Sequence, residues 1–551
     1  MLQESIVPSR RTVTRWIAQG GLLGSMGAAM GQRASELRQQ AEAAPLIPGQ
    51  PAAWADRLRM ADRLAQEQLA AAQDPRAEVE LLIPSFLGNQ ARRFYGRGIP
   101  QGLQVRRKFF LGSGSTRIGR RLEVWSGAGW TGQCTLVRDR GRDYLLIGAF
   151  DHHLRKIDLQ TWQEVWRYRF DDVLKGTATV YIDRTAPPLD QVIVLQGSRQ
   201  GVNVPFTARV VPSLRAISFR TGQELWRWNV RQTDSYSRDN DSSPLDLRNG
   251  LLFNVGENGV GSFLGAALNT VTQRDGITQP AIAGELLFYA PGDAARHGGN
   301  LVAESSPSRL GDRLFVAAGS GHIYGVDLNS RKIDWDFFTG TDIDGTAVVS
   351  RDGKLFCAIE RQYTSGPGGL FKLNPARPPA EAVEWFLPTG SLRYQDWQGG
   401  IIGSAALNDD YRDRGQPPLF ATGAIDGILY IGSQLRTTGL AHWGPQRDGP
   451  HNSPYVAFQT RIGPTISTPI FTEGDRLVAA SYDGVRLFQL RFLPTQSQDP
   501  AALPNGRGQW FRLEVTLLAH FAPGSSFEAT PIVWDGTVYL SGRDGWLYAL
   551  G

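Results

Sequence analysis

Cysteine is nearly absent from this chain: it has two, Cys134 and Cys357, far apart in the sequence. No CxxC or CxxCH occurs, which excludes covalent c-type haem and the usual zinc spacings, and leaves two buried free thiols as the expectation. HExxH, GxSxG and a glycine-rich phosphate loop are missing too, removing the common zinc-protease, serine-hydrolase and P-loop readings. Neither sign of charge is in excess: 58 Lys and Arg stand against 53 Asp and Glu, a formal +5, which fits solubility better than a polyanion partner. The N-terminal apolar run from Trp16 to Gly31 is interrupted by Gln19 and several glycines. It falls short of the about 20 predominantly apolar residues that a permanent span needs.

What is abundant is turn chemistry. The last stretch, Phe527 to Gly551, reads as three short strands beginning at Thr530, Thr537 and Trp546, with Asp535-Gly536 and Asp544-Gly545 between them. Asp-Gly between β-rich runs is a strong hairpin signal, because glycine tolerates the positive φ of a tight turn. The unit recurs. Each copy opens on four residues: a variable one, a small one, Ser or Thr, then Pro, Ala or Leu. The variable positions are Gln133, Lys175, Asp241, Glu304, Asp344, Ile402, Ile466 and Glu528. Eight copies about 40–66 residues apart lie in the range of propellers and solenoids. Several end on a tryptophan after a turn (Trp166, Trp226 and Trp335), which supplies a fourth strand, and four strands make a propeller blade.

The expected fold is therefore all-β: an eight-bladed β-propeller of four-stranded antiparallel blades, spanning residues 105–551. Leu122-Glu-Val-Trp125 resembles a fourth strand but precedes the first full repeat, while the last repeat ends at Gly551 after three. An N-terminal strand completing the C-terminal blade would close the ring and remove its exposed edges.

Ahead of the ring, residues 1–43 resemble a twin-arginine export signal, with Arg10-Arg11 before the weak apolar run. This predicts a periplasmic or equivalent extracytoplasmic location. Residues 44–104 read as a short helical and irregular extension. Trp54, Leu58, Ala61, Leu64, Ala65 and Leu69 form a stripe at helical spacing that needs a partner surface, the ring rim being the simplest. A basic group including Arg92, Arg93, Arg97, Arg106, Arg107 and Lys108 is expected on a solvated surface. Acidic lipid headgroups or an acidic protein are its alternative contacts, and no nucleic-acid reading motif accompanies it.

The repeat signature, the Asp-Gly turns and the Asp-Leu-x-Thr-x-x-x-x-Trp ending resemble the tryptophan-docked repeats of the quinoprotein (PQQ-dependent) dehydrogenase superfamily. Its members include enzymes and also non-enzymatic propellers, such as the lipoprotein that assists outer-membrane protein assembly. In the enzymes the cofactor lies on the axis with calcium held by carboxylate and amide oxygens. The resemblance therefore implies a channel ring of Lys175, Asp241, Glu304, Asp344 and Glu528 as the cofactor site, with Asp239, Asp241, Glu304 and Asp344 as calcium ligands. Asp239 and Asp342 lie two residues before Asp241 and Asp344, which puts each pair on one face if the strand extends that far. The adjacent cysteines that cover the cofactor in most alcohol-oxidising members are absent.

Two main readings stand. One is a non-catalytic scaffold for a protein partner, as a monomer or as a subunit of a larger complex, with peripheral membrane contact. Its candidate contacts are His442, Trp443, Arg447, His451 and Tyr455 on the long insertion Thr437–Phe458, plus Tyr394 and Trp397, because long loops on a rigid ring tend to carry function. The other is a PQQ- and calcium-dependent oxidoreductase acting on an alcohol or sugar. A periplasmic carbohydrate-binding module, suggested by the aromatic loops, is a third.

Overall fold

The structure is a computed structural model that describes residue 58 and residues 78–129, 132–413 and 415–551. The export signal, and the helical stripe apart from Leu58, fall outside these residues. Leu58 is helical and packs against the cluster between blades 4 and 5.

Eight antiparallel sheets form the ring. Their inner strands are Thr135–Asp139, Thr179–Ile182, Leu245–Asp246, Ser308–Leu310, Val348–Val349, Ala406–Leu407, Ile470–Thr472 and Ile532–Trp534. The four-residue signature lies mostly ahead of these strands, as the approach to the channel. Asp239 and Asp241 therefore precede the strand that begins at Leu245, and strand alternation does not put them on one face. The hydroxyls of the signature explain its pattern. The backbone N–H of Ser243 donates to Ser306 Oγ (2.9 Å), Ser306 to Thr346 Oγ1 (3.0 Å), Thr346 to Ser404 Oγ (2.9 Å), and Ser404 to Thr468 Oγ1 (2.9 Å). Each of these blades thus has a buried donor satisfied by its neighbour, and the links run part of the way around the axis. The small residue before the hydroxyl is required by the same closeness: a Cβ on Gly176 would stand 2.3 Å from the Asp241 carbonyl oxygen.

The outer tryptophans also tie blade to blade. Trp166 Nε1 of blade 1 donates to the Phe219 carbonyl of blade 2 (2.8 Å), and Trp335 Nε1 of blade 4 donates to the Arg377 carbonyl of blade 5 (2.9 Å). Trp226 is buried between blades 2 and 3.

Ring closure is made by an N-terminal strand, though by a different one from that read in the sequence. Val105–Phe110 pairs antiparallel with Trp546–Leu550 and completes blade 8. Leu122 to Trp125 belongs to the strand Arg121–Ser126, which pairs with Ser113–Ile118 as a separate hairpin on the face where the signatures enter the channel.

Residues 79–98, read in the sequence as part of a separate extension, are built into the ring from the other face. Val79–Ile83 pairs with the inner strand of blade 1, and Gly96–Arg97 runs parallel to that of blade 8. Between and beside them the segment bonds to the remaining six blades, through Val180, Ser243, Arg309, Val349, Leu407 and Glu473. This plug buries two of the arginines expected on the surface. Arg92 is fully buried; its guanidinium donates to the carbonyls of Pro307, Phe86 and Ser243 and to Ser85 Oγ. Arg93 is buried against Asp410 (3.2 Å) and the Val349 carbonyl (2.7 Å). A polar insert on the axis is satisfied by the backbone ends that the ring points inward.

Candidate functional site

With one face plugged, the channel opens as a cup of about 410 Å³ on the other. Two positions of the repeat supply much of its lining, though not from every blade. The first is the variable signature residue: Lys175, Glu304, Asp344, Ile402, Ile466 and Glu528 line the cup. Asp241 lies fully buried at its floor, and Gln133 turns its side chain to the plug, accepting from the Leu87 N–H (2.7 Å). The second position is the residue before the Asp-Gly or Asn-Gly turn that joins the second and third strands. It contributes Glu257 and Arg543 to the lining, and Phe150 where His152 replaces the glycine. In blades 6 and 7 it is Ile425 and Tyr482, packed with Ile402 and Ile466. Sequence reasoning missed this second register, although aligning the turns of the repeats would have exposed it.

The cup has a charged half and an apolar half. On the charged side Lys175 Nζ contacts Asp241 and lies 3.2 Å from Glu257, and Arg199 holds Asp239 at 2.7 Å. Asp241, Glu257 and Glu304 each offer an oxygen within 4.8 Å of the others. Asp342, Asp344 and Glu360 form a second such group. The predicted residues are thus divided among three clusters: Asp239 with Arg199, Asp241 and Glu304 with Lys175, and Asp344 with Asp342 and Glu360. Glu528 lies apart, accepting from the Tyr482 hydroxyl (2.9 Å) with Arg543 3.7 Å away.

Burial raises the Asp241 carboxyl well above the usual carboxylate range; Lys175 opposes that rise and Glu257 adds to it. Burial by itself would lower Lys175, but Asp241, Glu257 and Glu304 outweigh it and hold the ammonium above its ordinary value. The lysine and the carboxyls therefore titrate as one linked group.

The apolar half carries Trp397, Ile402 and Ile466. Tyr394 and Trp397 close a tight turn by mutual backbone bonds (3.1 and 3.0 Å), and Tyr394 packs on Tyr482 at 4.9 Å. Across the mouth stand Trp125, Tyr236 and Phe206. The other predicted contacts do not line the cup. The insertion Thr437–Phe458 is a ribbon formed by Ile428–His442 and His451–Arg461. Its tip leans on blades 4 and 5: Gln446 Nε2 donates to the Thr339 carbonyl (2.9 Å), and Gly366 N–H to that of Pro445 (3.1 Å). On it Trp443 is 58% exposed, His451 meets Asp448 (3.1 Å), and Tyr455 lies under Arg436 (4.1 Å). His442 pairs with His451 across the ribbon, and Arg447 sits in its turn at φ 57°.

Around the plug, the opposite face forms a broad bowl of about 1710 Å³. Its charges alternate in pairs such as Arg138–Asp143 (2.6 Å), giving it no net preference.

No family model matches the sequence, and no curated protein does. Among solved structures, the chain is similar to the quinohemoprotein alcohol dehydrogenase of Comamonas testosteroni, with 12% identity and a TM-score of 0.52 over 90% of this chain and 84% of that one. It is also similar to BamB from Moraxella catarrhalis, with 14% identity and a TM-score of 0.43 over 81% and 97%; that score is too low to carry an argument. At such identities likeness extends to the fold, a PQQ-like eight-bladed propeller, and not to activity.

Proposed function

We propose that the protein is a non-catalytic interaction propeller whose cup receives a basic side chain of a protein partner. The observation that supports this reading is the charge of the cup. Six carboxylates (Asp172, Asp239, Glu257, Glu304, Asp344 and Glu528) line it against four cations (Arg117, Lys175, Arg199 and Arg543), and Asp241, Asp342 and Glu360 lie buried nearby. A narrow cavity in which one sign is in excess draws an incoming opposite charge. Aromatic walls offer a cation–π seat, and an anchor side chain in a desolvated pocket is where binding energy concentrates. The exported, periplasmic location belongs to this proposal.

PQQ with calcium is the alternative, and the residues of the cup suit it in size but not in charge. The volume suffices for a flat tricyclic ligand. The charges do not fit: Lys175 already sits among Asp241, Glu257 and Glu304, Arg199 is committed to Asp239, and Arg543 stands near Glu528. A tricarboxylate would therefore meet an excess of carboxylates.

A photo-crosslinking residue in place of Trp397, used in the native host, tests the proposal. A discrete protein adduct that weakens at least tenfold in Glu304→Gln/Asp344→Asn is expected. Adducts indifferent to those acids would refute the basic anchor. Saturable, calcium-dependent PQQ binding by calorimetry would replace this reading with the oxidoreductase.

A further inference from the structure

We infer that Lys175 is the resident counter-ion of the channel floor, occupying the place that a divalent cation would take among Asp241, Glu257 and Glu304. Three carboxylates with oxygens within 4.8 Å of one another are the hard donors such an ion selects. They come from adjacent blades, Asp241 and Glu257 from blade 3 and Glu304 from blade 4. The variable position of blade 2 places its lysine against them: Nζ contacts Asp241 and stands 3.2 Å from Glu257, with only 15% of the side chain exposed.

The chain thus carries its own cation at a fixed address. A tethered ammonium competes with a free ion at high effective concentration. An entering metal would also have to expel the ammonium from its carboxylates while it remains largely buried, which is strongly unfavourable. Lys175 is the only basic residue among the eight signature positions, and the first carboxylate position of the ring, Asp241, belongs to the very next blade. The geometry therefore makes the floor of this cup independent of metal, and assigns that property to one side chain. This inference does not depend on which partner enters the cup.

Calcium alone is the probe, and the neighbouring group Asp342, Asp344 and Glu360 is first silenced by Asp344→Asn. Calorimetry and thermal unfolding would be measured at neutral pH with calcium up to about 5 mM, above the range of weak extracellular calcium sites. The Asp344→Asn protein is expected to bind no calcium. Adding Lys175→Met should lower the unfolding midpoint without calcium and create a saturable site at least tenfold tighter than that limit. Glu304→Gln in the same chain should abolish it. Calcium binding by Asp344→Asn that Glu304→Gln removes would overturn the inference, as would a folded Lys175→Met protein with no calcium response. Should the lysine variant fold only with calcium and unfold on chelation, the inference stands; failure to fold even with calcium counts against it.

Discussion

Arg92→Met offers the sharpest test of the plug. The arginine is wholly buried, and among the described residues no carboxylate balances it; burial pushes its pKa down to about 9. That corresponds to about 5 kcal/mol against the charged form. Opposing this are four hydrogen bonds of 2.7–3.0 Å to Pro307, Ser85, Phe86 and Ser243. At about 1.5–3 kcal/mol each for a charged donor, they total about 6–12 kcal/mol. The balance favours arginine by about 1–7 kcal/mol, with a centre near 3–4. Methionine fills much of the same space but leaves three carbonyls and a hydroxyl without this donor. The thermal midpoint is a blunt gauge. For a chain of 551 residues, at about 2.1 cal/mol/K per residue, 1 kcal/mol moves it by only about 1 °C. Amide hydrogen exchange is sharper. The N–H groups of Phe86 and Leu87 bond to Ser243 and Gln133 and exchange when the plug opens. A loss of about 3 kcal/mol speeds them roughly 150-fold, while amides of outer strands such as Lys332–Phe338 should change little. Exchange at Phe86 and Leu87 within about threefold of the parent protein would refute the claim that Arg92 holds the plug.

Three further outcomes are expected. Gly176→Ala should destabilise by about 3 kcal/mol or more or abolish soluble expression, because its Cβ would stand 2.3 Å from the Asp241 carbonyl and a rigid backbone is costly to displace; yield and thermal unfolding check it. Trp166→Phe keeps the ring but loses the 2.8 Å bond to Phe219, at a cost of about 1 kcal/mol, measurable by denaturant unfolding. His322 contacts Asp336 (2.6 Å) and Asp293 (3.4 Å). Burial opposes its charge, but the two carboxylates outweigh it and raise its pKa to about 9. A raised pKa stabilises below the unfolded value near 6.5 and is lost as pH climbs through about 9. Stability should therefore fall by about 3 kcal/mol between pH 6 and 10, a slope that His322→Gln should flatten.

How much of this was legible in advance follows from the range of the interactions. The hairpin turns, the eight repeats and the channel-facing signature are local, set by φ preferences and by the spacing of small and hydroxyl residues within one blade. Closure by an N-terminal strand was legible for the same reason, since the last repeat lacks a strand. Which strand closes it was not. Leu122 to Trp125 and Val105–Phe110 both suit an edge, and only the geometry of blade 8 selects the latter. The site residues were half legible. Lys175, Asp241, Glu304, Asp344 and Glu528 stand at the repeat's variable position, but Glu257, Glu360 and Arg543 enter from the turns after the second strands, a register that shows only when the repeats are aligned on those turns.

By itself the sequence determined the blade, its number and the ring, because each repeat carries its own turns and its own hydroxyl for the neighbouring backbone. Only the tertiary structure decided what fills the ring. Residues 79–98 carry no repeat signature, and Arg92 and Arg93 resemble surface arginines. They become buried because eight inner strands converge and leave backbone groups on the axis that a polar insert can satisfy. The same convergence brings an ammonium from one blade onto carboxylates of the next two, a contact between residues distant in sequence that no local pattern encodes.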